Sequence, residues 1–172
     1  VNDEDALVAG VVRGEIDRIA EAIEIIVERR KRDGHIYFVG AGTSGRLGVI
    51  EAAEQTPTLD VPDPIYRAIV AGGPECVFRS SEGAEDIAED GAEQVRVHDV
   101  RDRDVVIGIA ASGTTPFVHG ALGEARRRGA GRLAGAADAA GQADHIGPGP
   151  GDGPRVSGVT LNKVKGAMQV WP

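Results

Sequence analysis

The apolar residues of this chain follow two rhythms. From Asp3 to about Arg32 they recur every three or four positions, at Val8, Val12, Ile16, Ile19, Ile23, Ile26 and Val27, which gathers them on one face of a helix. This predicts one long amphipathic helix, with Asn2 and Asp3 as caps, Lys31 and Arg32 suiting the negative end of its dipole, and Gly34 as the left-handed stop. Beyond it come continuous apolar runs at 35–39, 65–71 and 105–111. Uninterrupted apolarity marks strands covered on both faces. Helices are predicted between and after them, at 45–55, about 86–97 and 116–128, the last opened by Pro116. Strand and helix in alternation predict an α/β fold, a doubly wound, mainly parallel sheet with flanking helices.

The pattern weakens after Arg128. In 129–154, 18 of the 26 residues are Gly, Ala or Pro, so a fourth strand at 132–137 has little to bury, and the run GPGPGDGP reads as a loop or linker. A short helix is expected at 158–170. The predicted organisation is a helical segment, 1–34, before a single domain, 35–172, whose 129–154 stretch is poorly ordered. The absence of an initiating Met and the stop at Pro172, just after the last helix, suggest a fragment or a truncated frame.

Composition narrows the chemistry. The 172 residues carry 27 acidic and 19 basic side chains, a net charge of −8, and no basic stripe interleaved with aromatics offsets it, which argues against nucleic acid as a partner. No apolar run approaches the roughly 20 residues of a membrane span, and the opening VNDEDALVAG lacks the layout of a signal peptide. The expectation is a cytoplasmic protein without a membrane partner. The lone Cys76 and the scattered His35, His98, His119 and His145 do not make a metal site. Aromatics are 3% of the chain, so the core must rest on Val, Ile, Leu and Ala, with Tyr66, Phe78 and Phe117 assigned to it.

Two turns carry the candidate chemistry. The first strand runs into Gly40-Ala41-Gly42-Thr43-Ser44-Gly45, the GxGxxG spacing at the start of a helix, where backbone N–H groups and the helix dipole favour an anion. A dinucleotide would also need an acidic residue at the end of the second strand; that strand ends Val70-Ala71-Gly72-Gly73. The missing carboxylate and the hydroxyls of Thr43 and Ser44 favour a phosphate monoester. The third strand ends in a second hydroxyl-rich turn, Ser112-Gly113-Thr114-Thr115-Pro116. On parallel strands both turns open at one edge of the sheet and can share a phosphate. Arg46 suits either the phosphate or a nearby carboxylate. Glu51 and Glu54, read alone, look like a solvated helix face, as do most of the six acids in 82–93.

The stretches IYFVGAGTSGRLGVIEAAEQTPT, IVAGG, EGAED and VVIGIAASGTTPFV together resemble the N-acetylmuramic acid 6-phosphate etherases, of the sugar isomerase (SIS) phosphosugar-binding superfamily. The resemblance covers about residues 1–128. It implies cleavage of the D-lactyl ether of N-acetylmuramic acid 6-phosphate to N-acetylglucosamine 6-phosphate and D-lactate, by a homodimer with sites at the subunit boundary and without metal or organic cofactor. By motif it places Gly42, Thr43, Ser44, Ser112, Gly113 and Thr115 on the sugar phosphate, and Glu54 and Glu85 as the catalytic acid and base. Arg46, Thr114 and Lys163 are candidates for further substrate contact.

The chemistry explains the two carboxylates. Ring opening exposes an aldehyde that acidifies the neighbouring carbon. One carboxylate takes that proton, a carboxylic acid protonates the departing lactate oxygen, and water adds to the double bond. The acid must stay protonated at neutral pH, which calls for burial or a like-charged neighbour.

The chain departs from the family pattern at Thr114, where an arginine is usual, and repeatedly after Arg128, where only Gly158 and Lys163 of the later motifs remain. Three alternatives stay open. They are a phosphosugar-binding module without catalysis, an aldose/ketose phosphate isomerase, and, weakest for want of the ribose-binding acid, a dinucleotide-dependent oxidoreductase.

Overall fold

A computed structural model describes residues 2–60, 65–136 and 158–160. In chain order the elements are α1 (Asn2–Arg13), α2 (Ile16–Arg30), β1 (Ile36–Gly40), α3 (Gly42–Leu59), β2 (Tyr66–Val70), 3₁₀ turns at Pro74–Val77 and Ala84–Asp86, α4 (Ala88–Val97), β3 (Val105–Ala110), α5 (Pro116–Arg127), β4 (Gly131–Ala136) and β5 (Gly158–Thr160). The strands form one sheet in the order β2-β1-β3-β4-β5, and every pairing is parallel.

The sheet is covered on both faces, as the continuous strand runs predict. Tyr37, Val39, Ile69 and Val106 pack with Val95 of α4 and with Phe117, Val118, Ala121 and Leu122 of α5. Ile36, Val105 and Leu133 point the other way, beneath Ala22, Ile25 and Ile26 of α2. Helix α3 shares that second face, with Gly48 set against the Phe38 side chain. Helices α4 and α5 approach so closely that a Cβ on Gly91 would stand 1.9 Å from the Phe117 carbonyl oxygen, and one on Gly120 1.8 Å from that of Ala88. No side chain fits between these backbones.

Several boundaries differ from the sequence expectation. The single amino-terminal helix is two, separated at Gly14 and Glu15, because glycine in a helix interior carries a backbone entropy cost that little packing offsets here. No residue of α2 is fully buried, and Ile16, Ile23 and Val27 stay about half exposed. The left-handed stop after α2 is Asp33, with φ 57°, not Gly34. Gly34 instead donates its N–H to the Arg29 carbonyl at 3.0 Å, and a Cβ there would meet the Arg103 carbonyl oxygen at 1.7 Å. Helix α3 begins three residues earlier than expected and runs through Pro57 to Leu59, where Asp60 turns left-handed at φ 52°. Phe78, expected in the core, is 87% exposed, since the 3₁₀ turn before it leaves no apolar layer to receive it. Gly158–Thr160 pairs with β4 as a strand where the start of a helix was expected; the rest of that segment and Lys163 lie outside the described residues.

Candidate phosphosugar site

Strands β1 and β3 are neighbours, and the chain leaves them in opposite directions, toward α3 on one face and α5 on the other. Such a reversal opens a crevice at the carboxyl edge of the sheet, where open α/β folds bind their ligands. The register brings the mouths level, because Gly40 pairs with Val70 of β2 and with Ile109 of β3.

The first turn is tight for a geometric reason. A Cβ on Gly40 would lie 2.7 Å from the Gly45 nitrogen, and one on Gly45 2.7 Å from the Gly40 oxygen, so the strand end and the helix start touch backbone to backbone. Gly42 between them is left-handed at φ 54° and open to solvent. Thr43 and Ser44 therefore stand in the first turn of α3. That helix start has no side-chain cap and no acidic residue. The start of α5 is alike: Thr115 at its cap position makes no side-chain cap bond, Pro116 follows, and no acid lies in the first turn. Two positive helix ends thus open at one edge of the sheet, neither with an acidic residue in its own first turn.

The second turn is internally bonded. Ser112 Oγ and Thr114 Oγ1 are 2.9 Å apart, the Thr114 N–H donates to Ser112 Oγ at 3.2 Å, and His119 Nε2 lies 2.7 Å from the Gly113 carbonyl oxygen. Thr114, which stands where the resemblance expects arginine, is thus part of a hydroxyl pair.

A third segment crosses the same edge. After β2, the Pro74–Val77 turn packs on α3 and the Ala84–Asp86 turn on α5. Between this segment and the α3 start is a cleft of about 320 Å³, lined among others by Gly42, Arg46, Cys76, Glu82 and Glu85. Arg46 donates to the carbonyls of Val77 at 2.8 Å and Cys76 at 3.0 Å. It thereby ties the crossing segment to α3, a role that neither sequence alternative included.

The structure brings Gly42, Arg46 and Glu85 to the cleft, and sets the Ser112–Thr115 turn at the same sheet edge. It does not bring Glu54 there. Glu54 is exposed on α3, about 18 Å along the helix axis from Gly42 at the rise of an α-helix. Sequence reasoning missed Ser80 and Ser81, which line the cleft with Glu82; the signal was the hydroxyl pair directly before the acidic motif. Among the described residues no group of three or more His, Cys, Asp or Glu is placed to hold a metal ion, and no helix is long and apolar enough to cross a membrane.

A parallel sheet of this strand order, with helices on both faces and two uncapped helix starts at its switch point, defines a doubly wound α/β domain of the kind that binds ligands at that edge. The family described as the glucokinase regulatory protein N-terminal SIS domain matches residues 18–126, and the chain belongs to it. Over 126 residues, 73% of this chain, it is 52% identical to the N-acetylmuramic acid 6-phosphate etherase of Salinibacter ruber, and over 128 residues, 74% of the chain, 48% identical to that of Synechocystis. It spans 40% and 42% of the length of those two relatives. Among solved structures, the phosphoheptose isomerase of Neisseria gonorrhoeae shares the fold with a TM-score of 0.67 at 20% identity, covering 92% of this chain and 82% of that one. The phosphoheptose isomerase of Francisella tularensis does so with 0.59 at 17% identity, covering 95% and 83%.

Proposed function

We propose that this chain binds a sugar phosphate at the β1–β3 switch point and forms part of an N-acetylmuramic acid 6-phosphate etherase. The observation that carries the reading is the juxtaposition of an uncapped, acid-free helix start at Gly42 with Glu85 across one cleft. The α3 start, with Thr43 and Ser44, and the turn Ser112, Gly113 and Thr115 receive the phosphate. Glu85 then faces the sugar carbons and removes the proton next to the aldehyde. The C–O bond to lactate breaks as the carbon–carbon double bond forms, a carboxylic acid gives its proton to the lactate oxygen, and water adds back. The identity of about one half to the etherases over three quarters of the chain supports this substrate.

The acid is Glu54 in this reading, supplied by a second copy, since within one chain Glu54 stands away from the cleft. The functional unit is accordingly a homodimer. A second reading, phosphosugar binding without catalysis, is favoured by that same placement of Glu54. D-lactate release from N-acetylmuramic acid 6-phosphate separates them. Release lost in both Glu54→Gln and Glu85→Gln supports the etherase. No release, with the phosphosugar still protecting the chain against thermal unfolding, supports the binding module.

A further inference from the structure

His119 lies one helical turn into α5 and is exposed, and the mechanism above does not use it. Its Nε2 is 2.7 Å from the Gly113 carbonyl oxygen. A carbonyl only accepts, so the ring donates through Nε2–H.

That bond acts on the second phosphate turn through the geometry of one peptide. Gly113 is left-handed at φ 72°, and a glycine in a turn lets the following peptide plane rotate at little cost. In a trans peptide the C=O and the next N–H point in opposite directions. Holding the Gly113 carbonyl toward His119 therefore fixes the Thr114 N–H on the other side, where it donates to Ser112 Oγ at 3.2 Å. Were the plane to rotate, the carbonyl would take the place of the N–H beside the Ser112 and Thr114 hydroxyls. A carbonyl oxygen repels an anion that an N–H attracts.

We propose that His119 is a positioning residue: through Nε2–H it latches the Gly113–Thr114 peptide so that its positive end, with the Ser112 and Thr114 hydroxyls, faces the phosphate. The inference rests on the phosphosugar reading of the site. It adds a residue that touches no substrate and sets the polarity of the turn that does.

The test is the affinity of the full chain for N-acetylglucosamine 6-phosphate, with unphosphorylated N-acetylglucosamine as control, for wild type, His119→Leu and His119→Gln. Gln keeps an N–H donor at nearly the reach of Nε2, and Leu keeps the bulk without the donor. His119→Leu is expected to bind the phosphosugar about tenfold more weakly, the size of one lost hydrogen bond to a charged group, with an unchanged melting temperature. His119→Gln should recover most of that loss. Wild-type binding with no difference in His119→Leu, or with Gln no better than Leu, overturns the latch alone. A wild type that binds neither sugar, or binds both equally, overturns the phosphosugar reading and the latch with it.

Discussion

Arg46 shows how one side chain can serve a site by holding its wall. Its guanidinium forks onto the carbonyls of Val77 and Cys76, a geometry that a lysine ammonium cannot reproduce. Replacing it with alanine is expected to cost roughly 2 kcal/mol of stability, the scale of a charged hydrogen-bonding group removed from partly buried partners, and to weaken phosphosugar binding. Arg46→Lys separates fork from charge: affinity should stay low in the lysine variant, whereas a residue acting only as a phosphate counter-charge would be rescued.

Glu124 is a second residue whose role is electrostatic. Arg127, then Arg128 and Arg96, hold its carboxyl below the ordinary value of 4.5 against the opposing effect of burial. A lowered value in the folded state means that the network stabilises the protein above the ordinary carboxylate range, and that this contribution is lost as pH falls through the lowered value. The arginines are between 31% and 66% exposed, so screening keeps the contribution near ~1 kcal/mol. Glu124→Gln should therefore be about 1 kcal/mol less stable than wild type in urea at neutral pH, with the difference shrinking as pH falls below the ordinary carboxylate range.

At the scale of elements, the crossing of α4 and α5 is set by two glycines. Gly91→Ala or Gly120→Ala must push the helices apart against backbone oxygens less than 2 Å from the new carbon, an overpacking expected to cost about 3 kcal/mol. Gly123, on the same helix α5, has nothing within 4 Å, and Gly123→Ala should instead raise stability by up to about 1 kcal/mol through helix propensity. Opposite signs within one helix, read by chemical denaturation, test the packing directly.

The same scale shows what the sequence made legible. Strands β1, β2 and β3 were visible because an unbroken apolar run between two helical stretches can be buried only as a strand covered on both faces, and the turn at Gly40–Gly45 because its glycines have a spacing. Less visible were features set by distant contacts. The break at Gly14 and Glu15 sits inside an intact apolar stripe, and Phe78 looks like any core aromatic until the 3₁₀ turn carries it outward. Arg46 could be placed near the site, but its carbonyl partners come from a segment about 30 residues away. The position of Glu54 relative to the cleft depends on the length of α3, which began earlier than its apolar pattern indicated.

For the whole molecule, three strand ends at one level put the α3 start, the α5 start and the acidic crossing segment around one edge, and this places the two hydroxyl-bearing turns and Glu85 at that edge within a single chain. Under the proposed etherase reading, Glu54 joins this constellation only from a second copy. Mixing inactive Glu54→Gln and Glu85→Gln chains should then restore roughly a quarter of wild-type lactate release, because half of the reassorted dimers carry one intact site. No recovery on mixing would place both carboxylates in the same chain's site.

The most direct measurement is a titration of the isotopically labelled chain with N-acetylglucosamine 6-phosphate, following backbone amide resonances. Saturable shifts concentrated at Gly42, Thr43, Ser44, Gly113, Thr114 and Thr115, and absent with the unphosphorylated sugar, are the predicted result. Shifts centred elsewhere, or equal shifts with both sugars, would contradict a phosphate site at the switch point.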